Sequence, residues 1–133
     1  MARPKQEQPT PAELEILKVL WERGPQTVRD VMEELNRTAP ERAYTTVMSL
    51  MNIMTEKGLL KRTPQGRAFL YAAKAGRDKT LGTMVNDLLG RAFAGSASAL
   101  VAQLLDQATP SKSELDAIRK AINEYQNQQP GAS

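Results

Sequence analysis

The spacing of apolar residues changes at Gly58 from the period of a helix to that of a strand. Before it, three helix-length segments carry apolar side chains at every third or fourth residue. After it, two short β-favourable runs, 59–63 and 67–72, flank a segment with proline and glycine, 64–66, which predicts a hairpin with a type I turn. Three helices followed by a hairpin are the elements of a winged helix-turn-helix, and we expect a mainly α (α+β) fold.

Capping residues mark where the helices begin. Thr10 and Glu13 form a capping box around a proline at the first helical position. Thr27 and Asp30 have the same spacing before a second apolar stripe, and a third helix is predicted over about 42–57. The inner face of this third helix is predicted to comprise Ala43, Val47, Leu50, Met51 and Met54.

Several classes of function are excluded by the residues that the chain lacks. The 133 residues include no cysteine and no histidine, which removes disulfides, thiolate or imidazole metal ligands and His-based proton transfer. The adjacent acids Glu33 and Glu34 point in different directions on a helix, so we interpret them as a solvated face. We predict no catalytic residue, no metal and no cofactor. No signal peptide or membrane-spanning segment is recognisable, which indicates a cytoplasmic protein without membrane insertion.

The net charge is unevenly distributed along the chain. All of the +3 excess lies in residues 1–74, and the stretch 57–74 contains basic but no acidic side chains. This density is typical of a phosphate-binding surface, although a solvated basic face accounts for the charges equally well. The candidate phosphate contacts are Arg42, Lys57, Lys61, Arg62 and Arg67.

The outer face of the third helix carries short polar side chains. Such groups in the first two turns allow a helix to reach base edges in the major groove, and a threonine methyl can contact the methyl group of thymine. By themselves these residues fit an ordinary solvated face better, but the basic hairpin that follows favours base recognition. The candidate base contacts are Ala43, Tyr44, Thr45, Thr46, Met48 and Ser49.

The segment 75–133 contains three further amphipathic helix patterns and ends in a polar tail. A segment of this length is at the lower limit for a core of its own, so we predict that its apolar stripes pack against a second copy of the chain. The alternative is a three-helix extension that packs on its own winged helix. We accordingly divide the chain into a DNA-binding domain, 1–74, and a dimerisation domain, 75–133. The predicted dimer contacts are Leu81, Met84, Val85, Leu88, Leu100, Val101, Leu104, Leu105, Leu115, Ile118 and Ile122.

Four segments of the chain together resemble the BlaI/MecI/CopY family of bacterial repressors. They are 13–17 with Trp21, 43–48, 56–60 and 66–71. The resemblance covers about residues 9–125 and implies a homodimer with a winged-helix DNA-binding domain and a helical dimerisation domain. It also implies repression through palindromic double-stranded operators with TACA/TGTA half-sites. The base-reading residues that it implies here are Thr45, Thr46 and Ser49.

Two departures from this family concern the signals to which its members respond. Copper-responsive members carry a C-terminal cysteine cluster, and its absence here excludes copper sensing of that kind. β-Lactam-responsive members are cut by a membrane-bound sensor protease between asparagine and phenylalanine, and the corresponding bond here joins Gln103 and Leu104. We expect a protease acting on this chain to use another bond nearby or an altered specificity, because glutamine and leucine do not match asparagine and phenylalanine and because apolar neighbours predict that 100–105 is a buried helix. The alternative is release without proteolysis, by a small ligand between the domains.

Two functional hypotheses follow from these observations. The first is a homodimeric, sequence-specific transcriptional repressor. The alternative is a winged-helix protein-interaction subunit without sequence-specific DNA binding. Steep salt dependence of duplex binding distinguishes the first hypothesis from the second, because neutralising phosphates releases counterions.

Overall fold

The first two helices begin at the predicted caps. The computed structural model describes residues 8–38 and 41–129, and in it α1 covers Pro11–Arg23 and α2 covers Val28–Thr38. The Thr10 hydroxyl accepts a hydrogen bond from the Glu13 N–H at 3.2 Å, and the Glu13 carboxylate accepts one from the Thr10 N–H at 3.0 Å. Thr27 and Asp30 make the same reciprocal pair at 3.1 and 3.4 Å. Both capping predictions are confirmed; the break that Pro40 predicts and the end of the tail lie outside the described residues.

The third helix, α3, covers Tyr44–Glu56. Its predicted inner face is confirmed at Val47, Met51 and Met54, which are buried against α1, α2 and the hairpin. Ala43 is an exception, because it is the exposed N-cap and lies outside the helix. The Ala43 side chain cannot cap α3, while its carbonyl accepts from the N–H groups of Thr46 and Val47.

The hairpin consists of β1, Leu60–Gln65, and β2, Ala68–Ala73, in antiparallel pairing. The predicted turn is wrong: Gln65 pairs with Ala68, so Gly66 and Arg67 form a two-residue loop. Gly66 has a φ of +61°, as at the first central position of a type II′ turn, and this turn matches the twist of the strands better than type I does. Arg67 therefore lies at the tip of the hairpin, which we call the wing.

A short bridge connects the wing to the loop between α1 and α2. The backbone N–H of Gln26 donates to the carbonyl of Tyr71 at 3.0 Å, and the Tyr71 N–H donates to the Gln26 carbonyl at 2.8 Å. Tyr71 itself is buried in the core. With α1, α2, α3 and the wing in this order, the predicted winged helix-turn-helix is confirmed.

Three helices follow the wing, as predicted. They are α4, Arg77–Phe93, α5, Ala97–Ala108, and α6, Lys112–Asn127. The Ser96 and Ser111 hydroxyls accept backbone N–H groups at the starts of α5 and α6. The chain divides into two compact units between Asn86 and Asp87, so the first half of α4 belongs to the same unit as the winged helix.

No residue of α4, α5 or α6 is buried within the single chain. The segment 100–105 is helical as predicted, but it is not buried, since Val101 is 41% exposed and Leu104 is 51% exposed. Over 8–38 and 41–129 no single helix is long and apolar enough to cross a membrane; α4 and α5 reach that length only as a pair bent by 98°. The same residues contain no cluster of acidic side chains suited to a metal ion.

Candidate nucleic-acid interface

A groove of about 400 Å³ lies between α3 and the wing. The beginning of α2 forms one end of it. Of the predicted site residues, the structure brings Tyr44, Met48, Arg62 and Arg67 together along this groove. Predicted base contacts and predicted phosphate contacts therefore share one surface.

Of the remaining candidate base contacts, Ala43 is the exposed N-cap of α3 and the others lie on the helix itself. Thr45, Thr46 and Ser49 are exposed in the first two turns of the helix. This is the part of a recognition helix that reaches base edges. The uncapped helix end also carries the positive end of the helix dipole, which favours a nearby phosphate.

Two of the predicted phosphate contacts, Arg42 and Lys57, form ion pairs with carboxylates of α1. The Arg42 guanidinium lies 2.6 Å from the Glu15 carboxylate. The Lys57 ammonium lies 2.9 Å from Glu13, which is only 2% exposed. These ion pairs connect α1 to the two ends of α3. The Lys57 pair is largely buried, whereas the Arg42 pair lies at the surface.

Arg62 is held differently, because its partners are uncharged. Its Nη1 donates to the side-chain oxygen of Asn52 at 2.9 Å, and its guanidinium carbon lies 4.4 Å from the centre of the Phe69 ring. Among the residues that the structure describes, no carboxylate forms an ion pair with Arg62. Its positive charge is therefore not cancelled by an ion pair with any of the described residues.

The sequence did not predict several residues of the groove, among them Arg29, Thr27 and Asn52. Arg29 lies 5.8 Å from the centre of the Tyr44 ring, a cation–π contact between α2 and α3. Thr27 lines the groove as well as capping α2, and Asn52 joins α3 to the wing. The position of Asn52 on the outer face of the third helix could have marked it as a site residue. Its hydrogen-bond partners could not be predicted, because they are ten and nineteen residues away along the chain.

In the helix-turn-helix formed by α2 and α3, the second helix, α3, is exposed and lies beside a basic wing. This arrangement defines a winged-helix DNA-binding protein. A family model described as penicillinase repressor matches residues 9–124. The chain therefore belongs to the penicillinase repressor family of DNA-binding transcriptional repressors, as the resemblance implied.

Similar proteins are found among characterised repressors. The penicillinase repressor of Bacillus licheniformis is 25% identical over 116 residues, which cover 87% of this chain and 90% of that protein. The transcriptional regulator BlaI of Mycobacterium tuberculosis is 34% identical over 113 residues, covering 84% of this chain and 80% of the relative. A solution structure of monomeric Bacillus licheniformis BlaI with the blaP half-operator has 28% identity and a TM-score of 0.48, and the match covers 56% of this chain and 89% of that one.

Proposed function

We propose that this chain represses transcription as a homodimer whose two copies each insert α3 into the major groove of a palindromic operator. The observation that carries this proposal is the shared groove, where Tyr44 and Met48 of α3 lie beside Arg62 and Arg67 of the wing. A helix of short polar side chains next to uncompensated guanidinium groups suits base edges flanked by phosphates.

The two kinds of contact are assigned to different residues. The phosphate contacts are Lys61, Arg62 and Arg67, with Arg29 added from the groove, while Arg42 and Lys57 are omitted because they pair with Glu15 and Glu13. The base contacts are Ala43, Tyr44, Thr45, Thr46, Met48 and Ser49, which are exposed or half-buried on α3 or at its N-cap.

Dimerisation through α4, α5 and α6 is supported by the apolar side chains that these helices expose. Monomeric proteins rarely leave several large apolar residues together in water. A second copy of the chain would cover them through a symmetric interface. Within α4, α5 and α6 the exposed large apolar residues are Val85, Leu88, Val101, Leu104, Ile122 and Tyr125.

A membrane-bound sensor protease as a partner is also part of the proposal. The bond between Gln103 and Leu104 lies within α5. Because a protease binds its substrate in an extended conformation, cleavage at this bond needs α5 to open locally. Such opening couples inactivation to the stability of the C-terminal helices.

The alternative of a protein-interaction subunit is tested by the salt dependence of duplex binding. The repressor proposal expects log K to fall linearly with log salt, because each neutralised phosphate releases counterions. A protein-interaction subunit shows no such binding. Titrations of a labelled duplex at several KCl concentrations, followed by fluorescence anisotropy, measure the slope.

Replacing Arg67 by alanine is expected to weaken duplex binding similarly on all sequences. Arg67 lies at the wing tip and would contact a phosphate, so its loss should reduce the salt slope by about 1. Lys18→Ala, on the exposed face of α1, is the matched control and should leave the slope unchanged. A loss confined to one DNA sequence would show that Arg67 reads a base instead.

Replacing Thr46 by alanine is expected to act on sequence preference. If its hydroxyl or methyl contacts one base pair, its loss should cost on the order of 1–3 kcal/mol at that position and flatten the preference there. Competition titrations over a series of single-base operator variants measure this. Thr38→Ala, at the exposed end of α2, is the control; a preference profile like that of the unmodified protein would remove Thr46 from the base-reading set.

A further inference from the structure

Asn52 receives two hydrogen bonds from the wing on a single oxygen. The Nη1 of Arg62 on β1 donates to its Oδ1 at 2.9 Å, and the hydroxyl of Tyr71 on β2 donates to the same atom at 2.9 Å. Tyr71 is buried and also pairs through its backbone with Gln26. One side-chain oxygen on α3 is therefore attached to both strands of the wing.

The Arg62 guanidinium is held between this amide oxygen and the ring of Phe69, whose centre is 4.4 Å away. Both partners are neutral. A carboxylate at the same place would orient the guanidinium and also cancel its charge, as Glu15 does for Arg42 at 2.6 Å. A guanidinium has five N–H donors, and within the described residues Arg62 uses one of them on a hydrogen bond.

We propose that Asn52 is a positioning residue for DNA binding, which orients Arg62 toward a backbone phosphate while leaving its positive charge uncancelled. This inference rests on the proposed function. Ordering a long, flexible side chain before binding reduces the entropy lost when the complex forms. For this role, the lack of charge on the Asn52 side chain is therefore as important as the position of its oxygen.

Two substitutions separate geometry from charge. Asn52→Asp keeps the acceptor oxygen but places a carboxylate on Arg62, so duplex affinity should fall about tenfold and the salt slope by about 1. Asn52→Ala frees Arg62 without neutralising it, so affinity should fall about 3- to 10-fold with a smaller change in slope. Asn127→Asp, the same charge change in the last turn of α6, should leave both unchanged.

The probe is a mixed-sequence duplex of about three helical turns, titrated with the full-length protein at several KCl concentrations. The decisive comparison is Asn52→Ala in the background of Arg62→Ala. If Asn52 acts through Arg62, the second substitution adds nothing to the first. Tyr71→Phe removes the other hydrogen bond to Asn52 and should lower the melting temperature while leaving the salt slope intact.

The outcomes separate the inference from the proposed function. If the unmodified protein shows no salt-dependent duplex binding, both are wrong. If it binds but Arg62→Ala has no effect, or if the effects of Asn52→Ala and Arg62→Ala add in full, only the positioning role is overturned. If Tyr71→Phe reduced the salt slope as much as Asn52→Ala does, the result would likewise overturn the positioning role. It would show that Asn52 stabilises the fold of the wing and does not orient Arg62.

Discussion

A chain that ends at Asn86 is expected to be a monomer that binds a palindromic operator about 10²- to 10⁴-fold more weakly than the full-length protein. The second half-site contact is intramolecular in a dimer and becomes bimolecular once the dimer contacts are lost. Sedimentation equilibrium gives the mass of the fragment, and duplex titration gives its affinity.

The cut is placed at Asn86 and not at the sequence-predicted boundary of residue 74. The indole N–H of Trp21 donates to the carbonyl of Ala75 at 3.0 Å. Residues 75–83 also contribute to the walls of a cavity of about 280 Å³ beside Leu17 of α1. A fragment ending at residue 74 would lose both contacts, so its poorer binding would mix unfolding with monomerisation.

The physical reason to expect a dimer is the exposure of apolar residues on α5 and α6. Leu104 is 51% exposed and Ile122 is 51% exposed, and Tyr125 is 64% exposed. Burying such side chains contributes about 1.5–3 kcal/mol each when burial is complete. Contacts of this kind suffice to hold two copies together if they are contiguous at a symmetric interface.

Point substitutions test the same interface in the full-length chain. Leu104→Lys should shift the protein toward the monomer, because a charge would be buried between the copies. Asp106→Lys, at an exposed polar position on the opposite side of the same helix, should leave it dimeric. A fragment 1–86 that sediments as a dimer would refute the assignment of dimerisation to the part of the chain after Asn86, which is the second half of α4 with α5 and α6.

Replacing Lys57 by methionine is expected to lower the free energy of unfolding by about 3 kcal/mol. The Glu13 side chain is 3% exposed and would lose the ammonium that lies 2.9 Å away. A carboxylate left in a buried site without its cation is strongly unfavourable. Methionine keeps most of the length of the lysine chain, so the loss reports the charge and not a cavity.

Urea denaturation measures this effect, and duplex titration distinguishes it from a phosphate contact. If Lys57 contacted phosphate, Lys57→Met would reduce the salt slope at nearly unchanged stability. Lys61→Met, on an exposed position of β1, is the control and should change stability by no more than about 0.5 kcal/mol. Unchanged urea midpoints for both variants would contradict the structural role of the Glu13–Lys57 pair.

The local features of this protein were readable from the sequence. The capping boxes at Thr10 and Thr27 join residues three apart, so their hydrogen bonds depend on chain chemistry alone. The period change at Gly58 predicted the wing, and the apolar stripe of α3 predicted the burial of Val47 and Met51. These predictions were correct because each depends on residues within one helix or one hairpin.

Only the tertiary structure determined which basic side chains pair with a carboxylate and which keep their charge available. The sequence predicted Lys57 and Arg62 as equivalent members of one basic stretch, but Lys57 pairs with Glu13, 44 residues away, while Arg62 meets the neutral Asn52. The turn register, too, depended on how β1 and β2 pair, which moved Arg67 to the wing tip. Composition counts charges, but only packing brings distant residues close enough to cancel one charge and leave another available for DNA, because Coulomb interactions depend on separation in space and not along the chain.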